Sequence, residues 1–449
     1  MSNPVPELMN LARLQLERHF GYPGFRPGQG RVVQSVLAGR DVLAVLPTGG
    51  GKSICFQVPA LVKPGLTIVI SPLIALMQDQ VEALGRRGVP AASLNSTLEP
   101  DQKASILRRV AAGEIRLLYV SPERLVSLVP ELRRLGAPVA MLAVDESHCI
   151  SEWGHDFRPS YRLLGKARYL LARPQTVALT GSATPSVRRD IIETLGLTRP
   201  DLHLESFDRP NLWFGVVGVR READRWAALR QVIGRERRMT LVYAPTRNMT
   251  EIIARALKDH GFRAAPYHAG LPKAARARLL QAFLGDELNA VVATSAFGMG
   301  IDKPDVRLVV HWAMPPTPES YYQEAGRAGR DGEFSRCVLL HARGDAGLHR
   351  RQLDVTFPSK RLLKRIWRGE RARLPANVLE SADRLRRELR PDQGRPDWGR
   401  IRRRRRLAES RIDAMESYAR RRGCRRAMLL EYFGERGVRC AGCGHCGEG

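Results

Sequence analysis

A short apolar run, Val42–Leu46, is followed directly by a proline, a threonine, three glycines, a lysine and a serine. Glycines lack a Cβ atom, so consecutive backbone N–H groups can close on phosphate oxygens, and a helix that starts after them favours negative charge. In such a loop the lysine pairs with the outer phosphates of a nucleoside triphosphate and the serine holds Mg²⁺. A glycine-rich turn with a solvated lysine is the plainer alternative. The residues predicted to bind the nucleotide are Thr48, Gly49, Gly50, Gly51, Lys52 and Ser53.

Two adjacent carboxylates, Asp145 and Glu146, follow another apolar run, Met141–Val144. A carboxylate at the end of a buried strand can coordinate Mg²⁺ through water, and its neighbour can orient the water that attacks the γ-phosphate. An ordinary helix N-cap would show the same residue types, because carboxylates are favoured there. Together with the loop, the pair predicts catalytic roles for Lys52, Asp145 and Glu146.

Strands that alternate with helices must position these groups. Apolar runs typical of buried strands recur along the chain, separated by segments with helical spacing. This alternation predicts an α/β fold with two parallel sheets, in which ligands bind beyond the carboxyl ends of the strands. The predicted strands are Leu66–Ile70, Arg116–Val120, Met141–Val144 and Thr176–Leu179 in the first sheet, and Thr240–Tyr243, Ala290–Ala293, Leu308–His311 and Val338–Leu340 in the second.

The loop after the carboxylate pair, from Cys149 to Tyr161, is rich in aromatic and hydrogen-bonding side chains. Trp153 and Phe157 can stack on nucleic-acid bases, while Arg158 can meet a phosphate. Both aromatic residues would also suit a core beneath a loop. The sequence therefore predicts a nucleic-acid contact beside the hydrolysis centre, with burial in the core as the alternative.

Composition supports a polyanionic partner. The 449 residues carry 73 Lys and Arg against 46 Asp and Glu, a net charge of +27 with a pI near 10.7. Nucleic acid fits this charge best, and an anionic membrane surface comes second. No run of about twenty apolar residues is present, and Met1–Asn10 has no apolar signal core. We therefore expect a cytoplasmic, nucleoid-associated protein with no membrane partner. We also expect it to be a monomer.

The C-terminal part holds much of this charge. From His341 to the end there are 29 Lys and Arg against 14 Asp and Glu, and Arg402–Arg406 is an unbroken basic run. Such a run is usually a solvated helix face, but like charges repel unless a polyanion neutralises them. Apolar spacing between Phe357 and Asp413 predicts a small helical insert.

Four of the seven cysteines crowd the C-terminus. In a reducing compartment such a cluster indicates a metal site, and two C-x-x-C steps after a more distant cysteine place four thiolates around one tetrahedral ion. Zinc is the predicted metal, with chance clustering or a redox dithiol as the alternatives and His445 as a rival ligand. The predicted ligands are Cys424, Cys440, Cys443 and Cys446.

These motifs together resemble the RecQ family of DNA helicases, within helicase superfamily two. The resemblance rests on the segments Phe20–Gln29, Leu46–Ser53, Ile70–Gln80, Asp145–Tyr161 and Gln323–Gly332, and on the cysteine cluster. It implies two tandem RecA-like parallel-sheet lobes followed by a small helical zinc-binding domain. The implied activity is that of an ATP-dependent helicase moving 3′ to 5′ on single-stranded DNA and unwinding forked or branched DNA, with ATP, Mg²⁺ and Zn²⁺ as cofactors. An ATP-gated DNA-binding or strand-annealing protein is the alternative.

The resemblance also implies roles for single residues. Tyr22, Arg26 and Gln29 would read the base of the nucleotide, since a Tyr ring can stack on it and a Gln amide can pair with an adenine edge, although a helix-ending turn would look the same.

The aromatic loop would couple DNA binding to ATP hydrolysis. Gln323, Arg327 and Arg330 match the arginine-finger motif, and i, i+3 spacing predicts both arginines on one helix face. The alternative is that both arginines form surface ion pairs or bind nucleic-acid phosphates. Further implied contacts are Asp302 to the nucleotide and His268 and Thr294 to DNA.

The predicted domains are a nucleotide-binding lobe at 1–205 and a second lobe at 206–345. A basic helical insert at 346–423 and a zinc-binding module at 424–449 follow.

Overall fold

The structure is a computed structural model that describes residues 5–47, 50–95, 97–154, 156–234, 239–295, 297, 303–389 and 396–448. The chain divides into two compact units, Met1–Phe207 and Asp208–Gly449. None of the helices formed by the described residues is both long and apolar enough to span a membrane.

The first unit is a parallel sheet with helices between its strands. Three of its strands, Val42–Val45, Leu66–Ile70 and Leu117–Val120, are buried along their whole length, because helices pack against both faces of the sheet. Two 3-10 turns, Ser147–Ile150 and Pro159–Leu163, interrupt the alternation after the fifth strand. The elements in chain order are α1 Val5–Phe20, α2 Gln29–Leu37, β1 Val42–Val45, α3 Ile54–Val62, β2 Leu66–Ile70, α4 Ile74–Arg86, β3 Ala91–Leu94, α5 Pro100–Ala111, β4 Leu117–Val120, α6 Pro122–Arg134, β5 Val139–Val144, α7 Leu164–Leu170, β6 Gln175–Thr180, α8 Pro185–Leu195 and β7 Asp201–Leu204.

The strand order of this sheet is β3-β4-β2-β5-β6-β1-β7. Strand β1 pairs in parallel with β6 and β7, and β5 pairs in parallel with β2 and β6. The glycine-rich loop leaves the carboxyl end of β1, and the carboxylate pair leaves that of β5. Only β6 separates these two strands, so the predicted site residues of this unit meet at one edge of the sheet.

The second unit repeats the parallel-sheet plan and adds a helical region. The elements in chain order are β8 Leu212–Val219, α9 Glu222–Ile233, β9 Thr240–Tyr243, α10 Arg247–Asp259, β10 Ala264–Tyr267, α11 Lys273–Leu284, β11 Ala290–Ala293, β12 Leu308–His311, α12 Pro318–Ala325, β13 Ser335–Ala342, α13 Asp345–Thr356, α14 Lys360–Trp367, α15 Ala376–Leu389, α16 Trp398–Arg420, α17 Arg425–Tyr432, β14 Gly442–Cys443 and β15 Gly447–Glu448. The strand order is β10-β11-β9-β12-β13-β8-β14-β15, and among the described residues of this unit only the β14–β15 pair is antiparallel.

The C-terminal strands therefore join the sheet of the second unit. Cys443 on β14 lies opposite Phe214 on β8, and the Gly444 N–H donates to the Phe214 carbonyl at 2.9 Å. Helices α14 to α16 enclose a small core of their own. It is built from Phe357, Leu363, Ile366, Ala382, Leu385, Leu389 and Ile401.

Candidate nucleotide site, aromatic loop and metal centre

The glycine-rich loop connects β1 to α3. Lys52 and Ser53 form the turn before α3, and the Ser53 side chain makes no capping hydrogen bond to that helix. Gly51 has a left-handed φ of 65°, and a Cβ atom there would lie 2.5 Å from the side-chain nitrogen of Gln29. Glycine suits this position for two reasons: it adopts the left-handed conformation without strain, and it has no Cβ atom to clash with Gln29. Thr48 and Gly49, also predicted to bind the nucleotide, lie outside the described residues.

Gln29 holds the loop from the side. Its Nε2 donates to the carbonyls of Gly50 and Gly51 at 2.9 and 3.0 Å, and its Oε1 accepts from the Arg26 N–H at 2.8 Å. Both ends of the amide are thus used within the protein in this structure. Tyr22, 42 % exposed, and Arg26 lie on the surface of the same segment. Base recognition by these residues stays a prediction.

The carboxylate pair begins where β5 ends. Asp145 is buried, and its Oδ1 accepts from the Glu146 N–H at 2.9 Å. Glu146 has a φ of 45°, a left-handed conformation that is uncommon for a residue with a side chain and marks functional turns. Burial raises the pKa of Asp145 to about 6, with the Glu146 carboxylate as the second cause and Lys52 acting against both. A cation bound beside Asp145 would lower the pKa of its carboxyl towards the ordinary value.

Replacing the buried carboxylate should stabilise the nucleotide-free protein. The folded pKa of Asp145 lies above its ordinary value, so the folded state binds more protons than the unfolded state between about pH 4 and 6. The free energy of unfolding therefore falls as pH rises through 6. We expect Asp145→Asn to add about 1–3 kcal/mol at pH 7.5 and less at pH 5.5, measured by thermal unfolding without nucleotide or metal.

The exposed Asp79 on α4 offers a matched control for this measurement. Asp79→Asn should leave the unfolding midpoint unchanged at both pH values, because surface substitutions have small effects. If Asp145→Asn destabilised the protein at pH 7.5, the carboxylate would have a stabilising structural role instead.

A chain of polar contacts leads from the carboxylate pair into the aromatic loop. His148 Nδ1 lies 3.2 Å from a Glu146 carboxylate oxygen and 2.9 Å from the Thr180 hydroxyl at the end of β6. On its other side, His148 Nε2 lies 3.8 Å from the Cys149 sulfur, and that thiol donates to the Asp156 carboxylate at 3.7 Å. Burial raises the pKa of the Cys149 thiol, which keeps it a neutral donor.

The chain ends at Arg158. Its guanidinium contacts Asp156 at 3.2 Å and donates to the Pro72 carbonyl, beyond β2, at 2.8 Å. Trp153 is 42 % exposed and Phe157 is half-buried. Trp153 is therefore not a core residue, which was the alternative interpretation, and its ring is available for stacking. Sequence reasoning missed Cys149 and Asp156; only their place inside the motif could have pointed to them.

In the second unit, predicted site residues follow the strand ends. His268 follows β10, is buried, and has its Nε2 3.2 Å from the Glu251 carboxylate. Thr294 follows β11, and its N–H donates to the Tyr267 carbonyl at 3.2 Å. Gln323 lies within α12. Asp302 falls outside the described residues, so its predicted contact with the nucleotide stays a prediction from sequence.

The prediction that Arg327 and Arg330 share one face of a helix is wrong. Helix α12 ends at Ala325, and the residues from Gly326 to Gly332, here called the arginine loop, are a series of turns. Gly329 takes a left-handed φ of 53°, which bends the chain away from a helical path. Arg327 is buried and contacts the Tyr243 hydroxyl at the end of β9. The role of both arginines in hydrolysis stays a prediction.

Two residues at the start of the second unit fix the arginine loop. Arg209 donates to the carbonyls of Ala328 and Gly329 at 3.1 and 2.6 Å, and the Asn211 amide donates to the Gly329 carbonyl at 2.8 Å. Buried carbonyls without such donors would cost folding free energy. Sequence reasoning did not single out Arg209 or Asn211, because the residues that they contact lie more than a hundred positions away.

The four C-terminal cysteines meet in space. Their sulfur atoms all lie within 4.8 Å of one another, and the sulfurs of Cys424 and Cys443 are 4.0 Å apart. A tetrahedral Zn²⁺ with Zn–S bonds of about 2.3 Å requires sulfur separations of about 3.8 Å, so these residues fit a four-thiolate site. Cys424 is the N-cap residue directly before α17 and Cys443 lies on β14, so one ion would join the start of a helix to the edge of the sheet.

Arg426, two residues after the first of these cysteines, anchors α17 to the start of the second unit. Its guanidinium is 1 % exposed, forms an ion pair with Asp208, and donates to the Arg209 and Leu212 carbonyls at 2.8 and 2.6 Å. Burial of a guanidinium costs free energy unless its donors are paired, and here both terminal nitrogens of Arg426 are paired. The segment that fixes the arginine loop is therefore itself fixed by the helix that carries a predicted zinc ligand.

Comparison with protein families matches these features to helicases. Residues 26–191 match the DEAD/DEAH box helicase family, and residues 224–332 match the helicase conserved C-terminal domain. Residues 383–447 match the RecQ zinc-binding family. The two units are thus the tandem RecA-like lobes of a helicase with a zinc-binding domain at its C-terminal end.

The chain belongs to the RecQ family. It is 40 % identical over 342 residues to the probable ATP-dependent DNA helicase RecS of Bacillus subtilis, which covers 76 % of this chain and 68 % of that protein. It is 42 % identical over 332 residues to the ATP-dependent DNA helicase RecQ of Synechocystis, covering 72 % and 70 %. It is also 37 % identical to RecQ of Pasteurella multocida over 95 % of this chain and 61 % of that protein. The chain therefore spans about three fifths of such longer relatives.

Solved structures with the same fold include more distant helicases. The DUF1998 helicase MrfA bound to DNA has a TM-score of 0.62 at 18 % identity, covering 76 % of this chain and 51 % of that one. The Mycobacterium smegmatis helicase Lhr bound to single-stranded DNA and AMP-PNP has a TM-score of 0.57 at 22 % identity, covering 93 % and 58 %. These likenesses establish the fold.

Proposed function

We propose that this chain is an ATP-dependent DNA helicase that moves 3′ to 5′ on single-stranded DNA and unwinds duplex or branched DNA in repair and recombination. The observation that carries this proposal is the continuous polar contact from Glu146 through His148, Cys149 and Asp156 to Arg158. It connects the residues expected to act on the triphosphate with a loop that exposes an aromatic ring. A protein that only hydrolysed ATP would gain nothing from that connection.

In this proposal Lys52 pairs with the β- and γ-phosphates of ATP, while Ser53 and Asp145 hold Mg²⁺. Bound Mg²⁺ would neutralise charge on the phosphate oxygens. Glu146, whose carboxylate lies 3.2 Å from His148 Nδ1, orients the attacking water. Arg327 and Arg330 are proposed to stabilise the charge that develops on the γ-phosphoryl group.

Single-stranded DNA would contact the aromatic loop. Trp153 supplies the stacking surface, and Arg158 would exchange part of its pairing with Asp156 for a phosphate. That exchange would alter the Asp156–Cys149–His148 contacts and thereby the position of Glu146. His268 and Thr294 are proposed as further DNA contacts in the second unit, from the resemblance alone.

We infer a structural zinc at the four cysteines. The thiolate set is closed, with four sulfur donors and no site left for substrate, which is typical of structural zinc. Its expected role is to hold α17 and β14 against the sheet, and through Arg426 to hold the residues that fix the arginine loop.

A forked-duplex unwinding assay tests the proposal. The chain should release the labelled strand with ATP and Mg²⁺ from forks with a 3′ single-stranded arm and not from forks with only a 5′ arm. ATP hydrolysis that single strands stimulate, without strand release from any fork, would favour the annealing or ATP-gated binding protein instead. Strand release without ATP would contradict both the helicase and the ATP-gated alternative.

A further inference from the structure

The strongest charge concentration in the chain is the segment from Lys360 to Arg406, here called the basic helical segment. It holds 18 Lys and Arg against 6 Asp and Glu, which is +12 of the net +27 in about a tenth of the residues. Helices α14 and α15 and the start of α16 form it, around the small core described above. The helicase motifs do not account for this charge.

Part of the charge is neutralised within the segment. Arg365 pairs with Glu370, Arg371 with Asp383, and Arg404 with Glu388. Other exposed basic side chains have no ion-pair partner among the residues that the structure describes, and six of them are grouped on two helices. They are Arg361, Lys364 and Arg368 on and just after α14, and Arg402, Arg403 and Arg406 on α16.

The unpaired charges form stripes on the helices. Arg361, Lys364 and Arg368 are spaced i, i+3 and i+7, so they lie on one side of α14, opposite the buried Leu363 and Ile366. The stripe rises about 10 Å along the axis at about 1.5 Å per residue, which is about three phosphate steps of one DNA strand. Neighbouring like charges destabilise a helix unless a polyanion neutralises them.

The aromatic residues of the segment decide which nucleic acid fits. Trp367 and Trp398 stack on each other with ring centres 5.4 Å apart, and the Trp367 indole N–H donates to the Ala382 carbonyl at 3.0 Å. Among the described residues of the segment, no large apolar side chain is exposed. Surfaces that hold single strands combine basic groups with exposed rings on which bases stack, as Trp153 offers in the first unit. The basic helical segment offers phosphate contacts without stacking.

We propose that the basic helical segment is a contact surface for duplex DNA, which binds backbone phosphates without regard to sequence. It is distinct in chemistry from the aromatic loop, which would hold the single strand. The inference rests on the proposed function only in that both require DNA as the ligand. A double helix is the better ligand because it carries one charge per about 1.7 Å, twice the density of one strand.

Two triple variants test the surface in the full chain. One changes Arg361, Lys364 and Arg368 to Gln, and the other changes Arg402, Arg403 and Arg406 to Gln. Binding to a blunt duplex of about 20 base pairs should weaken roughly tenfold or more near 0.1 M salt in each variant. The slope of log K against log salt should become less steep by about 2 to 3, since each phosphate contact contributes about 0.9. Affinity for a single strand of equal length, and the ATP hydrolysis that it stimulates, should stay within about twofold.

A third variant controls for net charge. Arg108, Arg133 and Arg134, exposed on α5 and α6, are changed to Gln, which removes three charges from the first unit. Its duplex affinity should fall by less than about threefold. Equal losses in all three variants, unchanged duplex binding in both segment variants, or an equal loss for single strands would each overturn the inference. Failure of the wild-type chain to bind any DNA would overturn this inference and would also count against the proposed function, whereas loss of duplex binding alone would leave the proposed function standing.

Discussion

The Glu146→Gln protein should bind ATP with near-normal affinity and hydrolyse it about 10²- to 10⁴-fold more slowly. The change keeps the size of the side chain but removes the negative charge that would orient and polarise the attacking water, and a positioned acid–base group contributes a factor of this order. The left-handed backbone at this residue does not depend on the charge, so the turn should persist. Single-turnover hydrolysis and binding of a fluorescent nucleotide measure the two quantities separately.

Glu193 on α8 provides the matched control, because it is an exposed glutamate in the same unit. Glu193→Gln should hydrolyse ATP at the wild-type rate. A Glu146→Gln protein that kept more than about a tenth of the wild-type rate would remove this residue from the chemistry. Loss of nucleotide binding in parallel with hydrolysis would indicate instead that the carboxylate has a structural role in the turn.

Removal of zinc should destabilise the second unit well beyond the cysteine cluster. Two of the predicted ligands, Cys424 just before α17 and Cys443 on β14, would connect these elements through the ion, and α17 carries the buried Arg426 that pairs with Asp208. Cys443→Ser, or a strong chelator, should lower the free energy of unfolding by roughly 4 kcal/mol or more, since loss of a structural metal is among the largest single changes. Amide exchange should accelerate in β8 and in residues 208–212.

Measurements of the zinc content and of amide exchange in each region show whether the loss of stability is due to the metal. Wild-type protein should contain one zinc per chain, and His445→Ala should retain it, because four sulfur atoms already complete the tetrahedron. A His445→Ala protein without zinc would instead make that histidine a ligand. Wild-type protein that contained no zinc and kept slow exchange in β8 under chelator would contradict a structural metal.

Most of the predicted strands coincide with observed ones because they are short, fully buried apolar runs. The strands that the sequence did not reveal depart from that pattern. Strand β7 lies at the edge of its sheet and alternates between half-buried and exposed residues. Strand β10 contains Pro266, which is tolerated because β10 is also an edge strand. Strand β8 contains two glycines, and Gly215 lies close to Gly444 of the cysteine cluster.

The i, i+3 spacing of Arg327 and Arg330 predicted a shared helix face, but two residues with this spacing lie on one face only if the segment between them is helical. Here glycines and carbonyl contacts from Arg209 and Asn211 stabilise a series of turns instead. The contact of Gln29 with the glycine-rich loop was also unforeseen, since an amide has no preferred partner that sequence could reveal.

The sequence by itself determined the family, the glycine-rich loop, the carboxylate pair, the aromatic loop and the cysteine cluster, because each is a run of neighbouring residues whose chemistry depends on local order. Only the tertiary structure decided how these parts are connected. The contacts of Arg158 with Pro72, of Arg209 with Gly329 and of Arg426 with Leu212 join residues 86 to 214 positions apart. Such contacts leave no periodicity in the sequence, because a guanidinium donates to whichever backbone carbonyls the fold brings to it.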